Sequence, residues 1–413
     1  MKSRLLAVAV VCALASLMAG AEVLDRVDGI KIGQRMTLRP YVTLSLSYDS
    51  NVPAQKDPEE DMQWTIAPGL GLTYNSENWS LLFSGYYNYR QYHKSEFQHY
   101  NNHNYGEDLR LNWTDTIGRE KGWSIVLGES FRQVTAAEDL TLPDGQNYSG
   151  DSRQLQLSGV IERRFSERWH ADANASYYMM DYIDSGSNRG YSYYGWDRWS
   201  LGAEAGFAPS QWTDILLSGA YMGYTQDNAE GYNLDNNSDG WTFQGGIGSY
   251  MTERISYRVL GGWSRFNYAG YEEARDGFVY TVSGNWKIGE TWNTMLLATG
   301  FYQPGERQQA SMSRVDSFSW GIAKVLVRGK LRLNADLRYR HETIESIVDS
   351  DLDYALDIVT GRIGATYFFN RIFSVFANVE YQRSFNDEAD SPRYRGVYDY
   401  DRWRVTCGFR LAY

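Results

Sequence analysis

The last residues of the chain alternate without a break. Trp403, Val405, Cys407, Phe409, Leu411 and Tyr413 fall on one side of an extended backbone, and Arg404, Thr406, Gly408, Arg410 and Ala412 fall on the other. Successive strand side chains point to opposite faces, so a period of two predicts a strand with one apolar and one polar face. The pattern recurs. At 35–48, Met36, Leu38, Pro40, Val42, Leu44, Leu46 and Tyr48 oppose Arg35, Thr37, Arg39, Thr43, Ser45 and Ser47. At 62–74, Met62, Trp64, Ile66, Leu70, Leu72 and Tyr74 oppose Gln63, Thr65, Gly69, Gly71 and Thr73. At 331–341, Leu331, Leu333, Ala335, Leu337 and Tyr339 oppose Arg332, Asn334, Asp336, Arg338 and Arg340. That last polar face is too charged for a protein core and suits a water-filled interior.

Further strand-like segments fall at 79–92, 103–114, 123–133, 152–163, 169–182, 196–208, 212–225, 240–251, 255–267, 277–288, 291–303, 313–327, 354–368, 372–384 and 401–413. The total is about eighteen, within a range of roughly sixteen to twenty, and the lengths suit tilted membrane strands. Alternation is weak at 212–225, 291–303 and 354–368, where a bulge or slip would change the phase. Connections alternate between short ones, such as 75–78, 164–168, 209–211 and 289–290, and long ones, such as 49–61, 134–151, 183–195, 342–353 and 385–400. Short periplasmic turns and long outer loops give this rhythm in outer-membrane barrels. Trp79, Trp123, Trp169 and Trp292 each follow a short turn, as an interfacial girdle requires. The expected fold is all-β: a closed antiparallel transmembrane β-barrel over 35–413, its last segment pairing with the one near 35–48. A soluble sandwich or propeller would need apolar faces converging on an interior, and no propeller-like repeat is present.

Composition agrees. The chain carries 33 Tyr, 14 Trp and 16 Phe, which suit pleated surfaces and girdles. Mean hydropathy is −0.52, as expected where only every second strand residue meets lipid. No apolar run after residue 21 is long enough for a membrane helix. Residues 1–21 read as a secretory signal peptide: Lys2 and Arg4, then the apolar Leu5 to Met18, then Ala19-Gly20-Ala21. The expected organisation is thus a leader at 1–21, a short periplasmic segment at 22–34, and the barrel. Past the leader only Cys407 remains, so an internal disulfide is excluded.

The segment Leu44-Ser45-Leu46-Ser47-Tyr48-Asp49-Ser50-Asn51-Val52 resembles the first strand and Tyr-Asp-x-Asn turn of the outer-membrane β-barrel porins of Gram-negative bacteria. The final strand resembles the signal by which barrel-assembly machinery recognises its clients, with Tyr413 where Phe or Trp is usual. The leader predicts export by the Sec pathway and the strand pattern an outer-membrane location; the resemblance implies a pore or a secretion-associated barrel.

Arginines recur in the polar phases, among them Arg35, Arg39, Arg90, Arg110, Arg132, Arg198 and Arg258, alongside Asp108, Asp172, Glu204 and Glu380. They would set the field of a pore or form cross-strand ion pairs in its wall. The candidate pore-lining residues are Arg332, Asp336, Arg338, Arg340, Arg404 and Arg410. Acidic loops at 49–61 and 342–353 lack the ordered spacing of a calcium loop. His93, His99 and His103, with Glu96, lack a helix to hold zinc, and His170 and His341 lack a nucleophile motif. No cofactor, metal, catalytic residue or nucleic-acid partner is expected. The expected partners are outer-membrane lipid, the assembly machinery, small hydrophilic solutes and, at most, further copies of the chain. Passive diffusion of small hydrophilic solutes is the leading expectation, with loop 134–151 long enough to fold into the channel. A barrel serving polysaccharide export or cell-surface organisation comes second, and an outer-membrane hydrolase third.

Overall fold

The computed structural model describes residues 29–413 apart from 53–57, 96–101, 116–121, 135–151, 183–194, 211, 227–236, 250–253, 269–273, 305–310, 347–353 and 386–398. The leader expected at 1–21, the body of the loop expected to fold inward, and His99 with Glu96 lie outside the described residues. The strands are β1 (Ile30–Ile32), β2 (Met36–Asp49), β3 (Asp61–Asn75), β4 (Trp79–Tyr92), β5 (Asn102–Thr114), β6 (Gly122–Val134), β7 (Ser152–Arg164), β8 (Trp169–Tyr182), β9 (Trp196–Ser210) and β10 (Thr213–Gln226). They continue as β11 (Ser238–Ser249), β12 (Ile255–Tyr268), β13 (Arg275–Ile288), β14 (Trp292–Pro304), β15 (Ser311–Leu326), β16 (Leu331–Ser346), β17 (Tyr354–Phe368), β18 (Phe373–Phe385) and β19 (Tyr400–Ala412). No described helix is long and apolar enough to cross a membrane.

From β2 onward each strand pairs antiparallel with its sequence neighbour, and β19 returns to pair with β2 from Arg404↔Asp49 to Ala412↔Tyr41. The short β1 pairs only with β2, so eighteen of the nineteen strands form a closed ring. Closure leaves no edge of unpaired backbone, the condition for crossing a bilayer with strands. The strand β1 is a detail the alternation did not reveal: it folds back on β2 through Gly33, whose φ of +69° suits a residue without Cβ.

Curvature separates the two phases. On the convex side side chains splay apart, and Leu201 (57 %), Phe243 and Ile363 (69 %) stand exposed. On the concave side polar groups crowd together, and Asp49 (0 %) and Glu342 (2 %) are covered. Burying charge inside and showing hydrocarbon outside inverts a soluble fold and fits a lipid solvent.

Weak alternation has a structural counterpart in one case of three. At the start of β10 the register against β9 shifts between Thr213 and Ile215. The pairings of β14 and of β17 run through without a shift. Several loop boundaries need correction, two of them at acidic residues. Asp49 and Asp61 face each other as the last pair of β2 and β3. Glu342 and Glu345 belong to β16, which stays paired with β15 to Ser346. At both places backbone pairing runs on past the alternation, and the acidic side chains meet arginines: Asp49 accepts from Arg402 and Glu342 from Arg340.

The short turns fix the aromatic residues that follow them. The Ser76 hydroxyl accepts from the Trp79 N–H (3.2 Å), and Ser166 accepts from that of Trp169 (3.1 Å). Asn370 Oδ1 accepts from the N–H groups of Ile372 (2.8 Å) and Phe373 (2.7 Å). Each side chain closes the turn and sets an aromatic ring at the strand base. Asn370→Ala removes both bonds and should lower folding stability by about 1 kcal/mol, read by urea titration of folding into phospholipid vesicles.

Candidate functional site: a charge row across the barrel seam

One register level of the concave phase alternates in sign over consecutive strands. Asp336 on β16 faces Arg362 on β17, Arg362 faces Glu380 on β18, Glu380 faces Arg404 on β19, and Arg404 faces Asp49 on β2. Opposite charges at directly facing positions attract, whereas like charges there would destabilise the sheet. The contacts follow the register. Arg362 Nε donates to Glu380 at 2.8 Å, Arg404 Nη1 lies 3.9 Å from the other Glu380 oxygen, and Arg404 Nε donates to Asp49 at 3.2 Å.

The row ends where the ring closes, and Asp49 is its most enclosed member. Arg402 Nε donates to both Asp49 oxygens, at 2.8 and 3.0 Å, and its Nη2 also reaches Oδ2. The following residues hold this carboxylate in place. Asn51 N–H donates to Asp49 Oδ1 (3.1 Å), and Asn51 Nδ2 donates to the Asp401 carbonyl (3.2 Å). Ser50 N–H donates to the Trp403 carbonyl (2.9 Å), and Trp403 N–H returns a bond to the Ser50 hydroxyl (2.7 Å). The Tyr-Asp-Ser-Asn segment therefore clasps the first and last ring strands together.

All six candidate residues lie on the concave phase, but in different surroundings. Asp336 and Arg404 stand in the charge row. Arg338 and Arg340 lie next, toward the long-loop end; Arg338 is 46 % exposed and 3.6 Å from Asp336, whereas Arg340 donates to buried Glu342 at 2.8 Å. Arg332 and Arg410 lie toward the short-turn end. Arg332 faces Thr366. Arg410 donates to the Thr43 hydroxyl (3.0 Å), and its guanidinium lies 4.9 Å from the Tyr41 ring centre. Sequence reasoning missed Arg362, Asp49 and Arg402 as members. Parity would have found Arg402, two residues before Arg404. Arg362 sits in a weakly alternating segment, and Asp49 stands where the strand pattern gives way to a long connection.

The far wall holds a second polar group. Glu204 on β9 accepts from Arg258 Nη1 on β12 (3.2 Å), Asp172 on β8 faces Glu204, and His170 Nε2 lies 4.0 Å from Asp214. Toward the long-loop end of that wall, Trp196 packs between Tyr178 and Tyr224, with ring centres 5.0 and 5.6 Å away. Among the described residues no cluster of His, Cys, Asp and Glu is arranged to hold a metal ion.

Residues 36–185 match the family described as "Putative MetA-pathway of phenol degradation". The match runs from β2 through β8, about a third of the chain. No curated protein matches the chain. Among solved structures, the siderophore receptor PirA from Pseudomonas aeruginosa is 9 % identical with a TM-score of 0.43, over 93 % of this chain and 81 % of that one. The FrpB iron transporter from Neisseria meningitidis is 11 % identical with a TM-score of 0.44, over 88 % of this chain and 64 % of that one. Likeness at this level carries nothing about what this chain transports. A closed ring of strands with hydrocarbon outside and charge within is built for lipid, and this chain is an outer-membrane β-barrel protein.

Proposed function

We propose that the protein is a porin-like channel for passive diffusion of small hydrophilic solutes. The observation that carries this reading is the polar concave phase of an eighteen-strand ring. Barrels of about sixteen to eighteen strands are wide enough to leave an aqueous channel. Arg332, Asp336, Arg338, Arg340, Arg404 and Arg410 are its proposed lining residues, acting through charge. Arg338 supports the reading most directly, because its side chain is 46 % exposed within the ring. The proposed route to the membrane is Sec export on the leader at 1–21, followed by recognition of the final strand by the assembly machinery.

Purified protein in planar bilayers should give stepwise conductance of porin size, and a silent barrel would overturn the channel reading. A panel of small solutes in liposome swelling should then define selectivity. Phenol belongs in that panel because it appears in the description of the family matched over residues 36–185. Replacing Arg338 and Arg410 together by Glu should move the anion-to-cation permeability ratio several-fold toward cations, since rings of charge set ion preference. Unchanged reversal potentials would remove both side chains from the conducting path.

A further inference from the structure

On the lipid-facing phase three neighbouring strands carry alanine beside a cation. Ala335 on β16, Ala365 on β17 and Ala377 on β18 line a groove of about 380 Å³. The Ile363 side chain, 69 % exposed, stands as one of its walls. Asn334 and Gly364 contribute its floor, their own side-chain phase being inward. The lining is almost wholly apolar, with one exception. Lys324 closes the groove at the short-turn end, its ammonium 4.0 Å from the centre of the Trp292 ring.

The register explains this placement. Trp292 faces Lys324, Lys324 faces Leu333, Leu333 faces Ala365, and Ala365 faces Ala377. Trp292 is the first residue of β14, so the row lies at the membrane boundary on the short-turn side. Lys324 makes no ion pair among the described residues. A lysine on a lipid-facing wall directs its ammonium toward the headgroup layer, where an anion offsets the cost of holding charge beside hydrocarbon. An apolar groove in a membrane takes hydrocarbon, not water.

We propose that this groove holds the acyl chain of an anionic phospholipid whose phosphate pairs with Lys324. A second copy of the chain is a poorer occupant. The lipid-facing carboxylates Glu107 and Glu129 lie near the middle of β5 and β6, and Asp115, at the short-turn end, already accepts from the Trp123 N–H. A copy inserted the same way therefore brings neither glutamate to the height of Lys324. A cation over a tryptophan is not sufficient by itself. Arg163 also lies 4.6 Å from a tryptophan ring, that of Trp123, and it faces Ala171, so only the lined groove beside Lys324 sets the two places apart.

The test is native mass spectrometry of delipidated protein titrated with phosphatidylglycerol or phosphatidylcholine, with heat-modifiable gel migration as the check on folding. Wild type should retain one phosphatidylglycerol in preference to phosphatidylcholine by about fivefold, the factor one lysine near an anionic surface supplies. Lys324→Ala should abolish the preference. Ala365→Leu, with Ala377→Leu as a second filling variant, should reduce retention of both lipids. The proposal is overturned if Lys324→Ala keeps the preference or if folded filling variants bind as wild type does. A dimer that Ala365→Leu abolishes, with no lipid bound to wild type, would assign the groove to a second copy and also overturn it. Lipid retention is read without conductance, so the result is independent of the channel reading.

Discussion

Asp49→Ala should lower folding stability by about 3–5 kcal/mol, the range observed when one partner of a buried ion pair is removed. The size follows from enclosure. Asp49 has no exposed side-chain surface, and the side chain of Arg402, which binds both its oxygens, is 5 % exposed. Without the carboxylate, Arg402 loses that partner at the seam, and Arg404 loses the nearer of its two carboxylates. Urea titration of folding into phospholipid vesicles measures the loss. The double variant Asp49→Ala/Arg402→Ala should recover part of it, because both members of the pair are then absent. A loss below about 1 kcal/mol would place the row among solvent-screened pairs.

Gly262→Val should be as severe for a different reason. A Cβ at Gly262 would lie 1.9 Å from the Phe243 carbonyl oxygen and 2.7 Å from Gln244 Cα. Those are backbone atoms of β11, so no side-chain rotation relieves the clash and the two strands must separate locally. Overpacking of this kind costs about 3 kcal/mol, and here it also breaks ladder hydrogen bonds. The matched control is Gly361, around which a Cβ would meet nothing within 4 Å. Gly361→Val should stay within about 0.5 kcal/mol of wild type, as expected of a surface position. Equal effects at the two sites would mean that general strand propensity, not close approach, is being measured.

Most of the fold was legible because period-two alternation is local information. Residues 79–92, 169–182 and 354–368 coincide with β4, β8 and β17. Phase assignment also held where composition was mixed, as at 331–341, where arginine and aspartate lie inside and leucine outside. The errors came where backbone pairing runs on past the alternation. Asp49, Asp61, Glu342 and Glu345 are acidic and sit near turns, yet each is a paired strand residue. The candidate site was legible only in part. Parity places a charge on a face, but which charge it meets depends on register between strands up to hundreds of residues apart. Asp49 and Arg404 are the extreme case, joined only when the ring closes.

The alternating row also acts as a vernier for assembly. Sliding one strand by a single residue reverses its faces and is rejected by the hydrophobic pattern. Sliding it by two residues keeps every face correct, so greasy-outside patterning is blind to that error. The charges are not. A two-residue slip of β18 against β17 sets Arg362 opposite Gln382 or Asn378 in place of Glu380. A slip of β17 against β16 in one direction sets Arg362 opposite Arg338. The wall thus carries two superimposed scales: a coarse one of hydrophobicity that chooses the face, and a fine one of sign that chooses the rung.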